Sequence, residues 1–390
     1  LLMVASFIPI LCMKGEGLPF TSNWLNAATI GLQGYSIDIV NPAPNSYRAY
    51  YSASSSVISS STSTDGLVWT QDPSFSEIGM NPWVFKVGDN HWHMIYEDTI
   101  GEEHRLSLAT SADGVNFELE SYSVLSGNAE DDKFNGFYNL SFPAGTRLDN
   151  GNLRIYYTAG GTAIKSAMSS DNGVTWTRED GIRMPLAVEP EILRTSTGWR
   201  LIYTDWAAAT EGKRILYADS VDGLNFNYLG EILSINPDQP SMKCMSPEIS
   251  IAPDHSIRIY FSLGNNPAVP GIIYEASAPE GWVDIVTGSI NYNSATFTES
   301  QQNIGMIDNS VPVVLTLTGD TFAAGPAEDL MMTGKVNVTN LPAGMVASIK
   351  KTSDTTATVE IWGSAFPHDN ADDVNNLTIA FQNSAFTGGN

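Results

Sequence analysis

Acidic side chains recur at one offset along this chain. Four short strand-like segments open with proline: Pro82-Trp83-Val84-Phe85, Pro143-Ala144-Gly145-Thr146, Pro190-Glu191-Ile192-Leu193 and Pro247-Glu248-Ile249-Ser250. A fifth, earlier segment has Ile37 in the proline place, followed by Asp38. The position after the proline thus holds Asp38, Trp83, Ala144, Glu191 and Glu248; the position before it holds Ser36, Asn81, Phe142, Glu189 and Ser246. Carboxyl groups gathered at one centre can cleave a glycosidic bond. That reaction needs a proton-holding acid and an ionised partner flanking the anomeric carbon. Keeping the proton near neutrality takes burial or a neighbouring like charge. The same acids could equally line a wet polar channel and hold water or a structural cation.

Other groups could serve such a centre. Loops beside the segments carry Glu97, Asp98, Asp205, Trp206 and Asn265, and an insert at 127–139 carries Asp131, Asp132, Phe134, Phe137 and Tyr138. A tryptophan beside acids offers a sugar ring a flat apolar face and hydroxyl acceptors; it could also pack one loop on another. His91 and His93 share one strand face at a spacing that suits a metal, with no third ligand near in sequence. Cys244 has no nearby histidine to activate it and reads as a small buried group.

The elements that must position these residues form a repeat. Ser63-Thr64-Asp65-Gly66-Leu67-Val68-Trp69 returns as Ser111-Ala112-Asp113-Gly114-Val115-Asn116-Phe117, as Ser169-Ser170-Asp171-Asn172-Gly173-Val174-Thr175-Trp176 and as Ser220-Val221-Asp222-Gly223-Leu224-Asn225-Phe226. Asp accepts backbone N–H bonds within such a turn, and Gly supplies a positive φ. In step with it run Tyr47–Tyr51, His91–Tyr96, Leu153–Tyr157, Trp199–Tyr203 and Ser256–Phe261. Strand, strand, strand, Asp-Gly turn, strand is one antiparallel blade, and five copies predict an all-β fold, a five-bladed β-propeller. The fifth copy has Ala278-Pro279-Glu280-Gly281-Trp282 where the Asp-Gly turn would stand. Arg48, Arg154, Arg200 and Arg258 recur beside the second-strand tyrosines and are expected to pack blade on blade.

Residues 288–310, rich in Ser, Asn, Gln and Thr, read as a linker. Short β runs at Val311–Leu317, Lys335–Thr339, Met345–Ile349, Thr356–Ile361 and Leu377–Phe381 predict a C-terminal immunoglobulin-like β-sandwich over 311–390, a strand or two short of the usual count. Residues 1–17 read as a signal-peptide remnant or an N-terminal strand, which leaves 18–287 to the propeller.

Composition narrows the partners. Of 390 residues, 43 are acidic and 19 basic, for a net charge of -24. This argues against nucleic acid, whose phosphates need a basic surface, and against docking on an anionic membrane. No segment reads as membrane-inserting. Few lysines and many Ser, Thr, Asn and aromatic residues suggest an extracellular or cell-surface protein.

The Asp171 turn resembles the Asp-box of sialidase-type propellers. Glu189-Pro190-Glu191-Ile192-Leu193 with Trp199-Arg200-Leu201-Ile202-Tyr203 resembles the five-bladed glycosidases (arabinanases, xylosidases and fructan hydrolases), over roughly residues 30–287. The sandwich, through Val336–Gly344 and Asn376–Phe381, resembles modules repeated in bacterial surface proteins. The glycosidase resemblance implies carboxylates presented to an axial pocket: a base or nucleophile, a general acid, and an Asp tuning the acid. Asp38 would be the base or nucleophile. Glu191 would be the acid, raised by neighbouring Glu189, and Glu248 would tune it or orient hydroxyls. Glu189, Asn81, Trp83, Asp205, Trp206, Glu97 and Tyr138 would bind substrate. The family's base directly precedes the proline place, where this chain has Ser36, and Trp83 stands where the tuning Asp would be. Hydrolysis of a neutral oligo- or polysaccharide is therefore one expectation. The alternative is a non-catalytic glycan-binding or adhesin head, with the sandwich as a stalk for anchoring or self-assembly. No cofactor is implied beyond an optional axial Ca2+.

Overall fold

A computed structural model describes residues 20–386, except 23, 44–45, 74, 89, 149, 207–213, 236–242, 253–255, 265–270, 280–281, 283–288, 302–303, 319–320, 326, 368–373, 375 and 383–384. The apolar run containing Cys12, the rim residue Asn265, and Glu280 and Gly281 of the fifth turn lie outside the described residues. Among those described, helical backbone is confined to a 3-10 turn at Glu130–Asp132 and to Ala385; everything else that is regular is strand. The chain forms two compact units, Leu1–Val40 with Ser46–Ile285, and Asn41–Asn45 with Val286–Asn390.

The first unit is a series of antiparallel modules. Module one takes the second half of the long strand Leu25–Ala43, then Ser46–Ser54 and Val57–Ser63, against which Thr70–Gln71 and Glu77–Ile78 both pair. Module two runs Met80–Gly88, His91–Ile100, Glu103–Ser111 and Glu118–Leu125. Module three runs Leu140–Arg147, Leu153–Ala159, Ala163–Ser169 and Thr177–Pro185. Module four runs Ala187–Thr195, Gly198–Asp205, Ile215–Ser220 and Asn227–Ile235, with Phe20–Ser22 added at its edge. Module five runs Lys243–Ile251, Ile257–Gly264 and Gly271–Ser277. The second strands read as mostly apolar runs interrupted by a recurrent arginine or histidine because both their faces are covered; every residue of Leu153–Ala159, Arg154 included, is buried.

The fourth strand of module five corrects the expectation that the Ala278–Trp282 segment replaces the turn into it. That strand comes from the other end of the chain: residues 25–34 pair with Gly271–Ser277, Leu25 opposite Ser277 and Gly34 opposite Gly271. One long strand is thus shared by modules one and five. Trp282 instead packs edge-on against Trp24 at 4.7 Å, and the Arg200 guanidinium covers its ring at 4.6 Å.

All four Asp-Gly turns join a third strand to a fourth. In each the serine Oγ accepts the glycine N–H, at 2.8–3.0 Å. The aspartate Oδ1 accepts backbone N–H groups further on, such as Val115 and Asn116 on Asp113, both at 2.8 Å. These bonds hold the Asp113 carboxyl well below its ordinary range. The glycines sit at φ +70° to +88°, which a side chain tolerates poorly.

These turns also receive the neighbouring module. The Tyr50 hydroxyl of module one donates to Gly114 O of module two at 2.6 Å. His93 Nδ1 of module two meets Asn172 O of module three at 2.8 Å. Tyr156 of module three donates to Gly223 O of module four at 2.8 Å. Arg200 of module four donates to Trp282 O at 2.6 Å, and Tyr260 of module five donates back to Gly66 O of module one at 2.9 Å. The recurrent arginines join in: Arg154 binds Asp222 O at 2.9 Å and pairs with Glu179 in its own module.

The second unit holds a four-stranded sheet, Ser289–Tyr292, Val313–Thr318, Thr356–Gly363 and Met345–Lys351 in spatial order, and a two-stranded one, Val336–Thr339 with Thr378–Phe381. Leu315, Leu317, Phe322, Leu330, Ile349 and Val359 form its core. Ser289–Tyr292 lies in the stretch expected as linker and is instead a sheet strand, paired with Val313–Thr318 through Ile290 opposite Leu317.

Candidate active site

Every module bends its first strand at the same point. The residue before the proline place has a left-handed backbone in all five: Ser36 (φ 50°), Asn81 (51°), Phe142 (51°), Glu189 (56°) and Ser246 (52°). Pairing with the second strand slips there, between Met80 and Trp83, Ser141 and Ala144, Val188 and Glu191, and Met245 and Glu248. This is a bulge, which re-aims the residues that follow it. A left-handed backbone costs an ordinary residue roughly 1–2 kcal/mol. Hydroxyls of the preceding module's second strand help to hold it. Ser52 Oγ accepts Asn81 N–H at 2.7 Å, Thr158 Oγ1 accepts Glu189 N–H at 2.9 Å and Thr204 Oγ1 accepts Ser246 N–H at 3.3 Å.

The bulges surround a narrow cleft open to solvent, lined by residues before, at and after the proline place. Asp38, Glu191 and Glu248 all reach it, from modules one, four and five. Asp38 and Glu248 are buried, at 8% and 5% exposure, and Glu191 is partly open to the cleft. Val84 N–H donates to Asp38 Oδ2 at 3.0 Å and Ile39 N–H to Glu248 Oε1 at 3.0 Å. Glu191 and Glu248 hydrogen-bond each other.

Burial pushes the Asp38 carboxyl up to about 8, against the pull of the Val84 N–H. Glu191 is pushed well above the carboxylate range by burial and then by the Asp38 charge. Glu248 is raised by burial, then by Glu191 and Asp38. Three carboxyls close enough to feel one another's charge in a largely buried place cannot all ionise near neutrality, so the cluster stores protons and titrates as one system. Glu189 is not what raises Glu191: its Oε2 turns instead to the Thr204 hydroxyl at 2.6 Å and Ser246 N–H at 2.8 Å. Among the described residues no group of three or more His, Cys, Asp or Glu side chains is arranged to hold a metal ion.

The other candidates are placed differently from the expectation. Trp83 does not line the cleft: its ring stacks on Phe85 at 4.2 Å and lies over Gly145 of module three. Asn81, 1% exposed, binds the Glu97 carboxylate through its amide, and Glu97, 2% exposed, holds His104 on its other oxygen. Both are buried struts rather than rim groups. Asp205 is buried against Arg214. Trp206 stays partly exposed and meets Phe134 edge-on at 6.5 Å, while Tyr138 lies under the Lys133 ammonium at 5.1 Å. Asp132 is fully buried and anchors the 127–139 insert on Lys165 and Arg178.

The hydroxyl struts were not anticipated, though a signal was present. Ser52, Glu97, Thr158, Thr204 and Ser262 occupy one position, directly after the second-strand aromatics. A polar residue repeated beside an apolar run marks a buried hydrogen-bonding position.

No protein-family model matches the chain, and no curated protein matches it. Solved structures do. A thermostable family-43 glycoside hydrolase superposes with a TM-score of 0.52 at 14% identity, covering 66% of this chain and 94% of that one. An endo-arabinase from Bacteroides thetaiotaomicron superposes with a TM-score of 0.52 at 11% identity, covering 66% and 98%. By the likeness of its backbone to these enzymes, the chain has the glycosidase-like propeller fold.

Proposed function

We propose that the first unit is a five-bladed β-propeller glycoside hydrolase acting on neutral oligo- or polysaccharides. The five-fold reading is supported by the cycle of contacts that runs from Tyr50–Gly114 in modules one and two back to Tyr260–Gly66 in modules five and one. The observation that carries the chemistry is the meeting of Asp38, Glu191 and Glu248 in one cleft with their pKa values raised. Asp38 is the base or nucleophile of this reading, from the blade-one position to which the glycosidase resemblance gives that role, and its raised carboxyl takes up that role as it ionises towards pH 8. The Glu191–Glu248 pair holds the proton, and Glu191, open to the cleft, delivers it to the leaving oxygen. Trp206, partly exposed beside Phe134, is the candidate face for a sugar ring.

The second unit is read as an immunoglobulin-like module and the four Asp-Gly turns as Asp-boxes. An extracellular or cell-surface place suits the composition, few lysines among many Ser, Thr, Asn and aromatic residues. The test is a panel of chromogenic glycosides and glycans with wild type, Asp38→Asn and Glu191→Gln. Turnover by wild type alone supports hydrolysis. Glycan binding with no turnover on any substrate would replace it with the binding-head reading.

A further inference from the structure

Outside the cleft, one pair of chemically active side chains has no part in the reading above. His91 and His93 begin the second strand of module two, on one face, and their Nε2 atoms approach to 3.2 Å. His93 is buried, at 3% exposure, while His91 is exposed. His93 Nδ1 is 2.8 Å from Asn172 O in the module-three turn. A carbonyl only accepts, so Nδ1 carries the proton and Nε2 presents a lone pair towards His91.

We propose that His91 and His93 form a two-imidazole site for a borderline divalent ion, Zn2+, Ni2+ or Cu2+, at the junction of modules two and three. Two nitrogens bound at about 2.0–2.1 Å, at angles between square-planar and tetrahedral, lie roughly 2.9–3.4 Å apart. The observed 3.2 Å falls inside that span, so the two nitrogens already stand at a chelating separation, and turning the exposed His91 ring would bring its lone pair to the ion. The Nδ1–H bond to Asn172 O is the second-shell contact that fixes a metal-binding tautomer. Without an ion, His91 Nε2–H donates to His93 Nε2. With one, the His91 proton sits on Nδ1 in solvent and both Nε2 lone pairs face the metal, so no net proton is released. The Glu120 carboxylate is near enough for its charge to act on His93, and it favours a cation. Water completes the coordination, since no third His, Cys, Asp or Glu joins the pair among the described residues. The ion would tie the first hairpin of module two, through His93, to the turn of module three.

The experiment is calorimetric titration of the full chain with Zn2+ and Ni2+, paired with thermal melting and with the Cu2+ electron-spin spectrum. One equivalent should bind, melting should move up, and the spectrum should show two nitrogen ligands. His91→Ala, at an exposed site that should not disturb folding, should abolish all three. His93→Gln should do the same where it folds, while Glu191→Gln should keep them. Binding and melting unchanged in His91→Ala would overturn the proposal, as would loss of the ion in Glu191→Gln. Failure of wild type to bind either ion would also overturn it. None of these outcomes bears on glycan turnover.

Discussion

The backbone N–H of Val84 donates to the Asp38 carboxylate at 3.0 Å, although the two residues belong to different modules. A carboxyl pushed up by burial is thereby kept able to ionise. Asp38→Asn keeps the acceptor for Val84 and removes only the ionisable oxygen. It should lower glycan turnover by roughly 10²-fold or more, the scale of acid–base catalysis, with an unchanged circular dichroism spectrum. Glu191→Gln should do likewise. Wild-type turnover in both variants would make the cluster structural.

The same cluster sets a pH dependence of stability. Asp38 moves from its ordinary 3.8 to about 8 on folding, so between those values the folded protein holds a proton that the unfolded chain has released. Stability should therefore fall as pH rises through that window, and Glu191 and Glu248, raised too, add to the fall. Glu248→Gln should melt at least about 2 °C above wild type at pH 8, the scale of 1 kcal/mol in a chain of this size. The gap should close towards pH 4. A gap that widens on acidification would reverse the sign.

Two buried hydroxyls at the repeated strut position should respond in opposite ways. Thr204 donates to Glu189 Oε2 at 2.6 Å, whereas Ser262 Oγ finds no hydrogen-bond partner among the described residues. Thr204→Val should cost about 1–3 kcal/mol in urea unfolding, because it strips a buried carboxylate of a donor. Ser262→Ala should be neutral or stabilising. Equal losses at both positions would show that Ser262 is satisfied in solution.

Gly145 is required by its neighbour. A Cβ there would stand 2.3 Å from the Trp83 ring, which is already stacked on Phe85. Gly145→Ala should destabilise by about 1–3 kcal/mol through overpacking. Combining it with Trp83→Leu should recover part of the loss, and strictly additive losses would separate the two residues.

That pair also shows where the sequence could be read and where it could not. The proline offset brought Asp38, Glu191 and Glu248 to one depth because a repeat copies its backbone, and the same bulge aims the same position each time. Trp83 stands at that offset too, yet it turns into the niche that Gly145 leaves open in the next module, and nothing near Trp83 in sequence announces the niche. Glu97 was read as a rim residue from the loop that follows it. Its alignment with Ser52, Thr158, Thr204 and Ser262 already marked it as buried. The origin of the fourth strand in module five was beyond local patterning, since residues 25–34 meet Gly271–Ser277 only through the whole fold.

The strand Leu25–Ala43, shared by modules one and five, constrains synthesis. Its first half has no partner until the strand ending at Ser277 has left the ribosome, so it must wait unpaired while modules two to four take shape. Closure is the most non-local step of the fold and should be the slowest. Throughout that delay the waiting strand is an open edge, able to pair with another nascent chain. Refolding of the full chain should then lose yield to association as protein concentration rises.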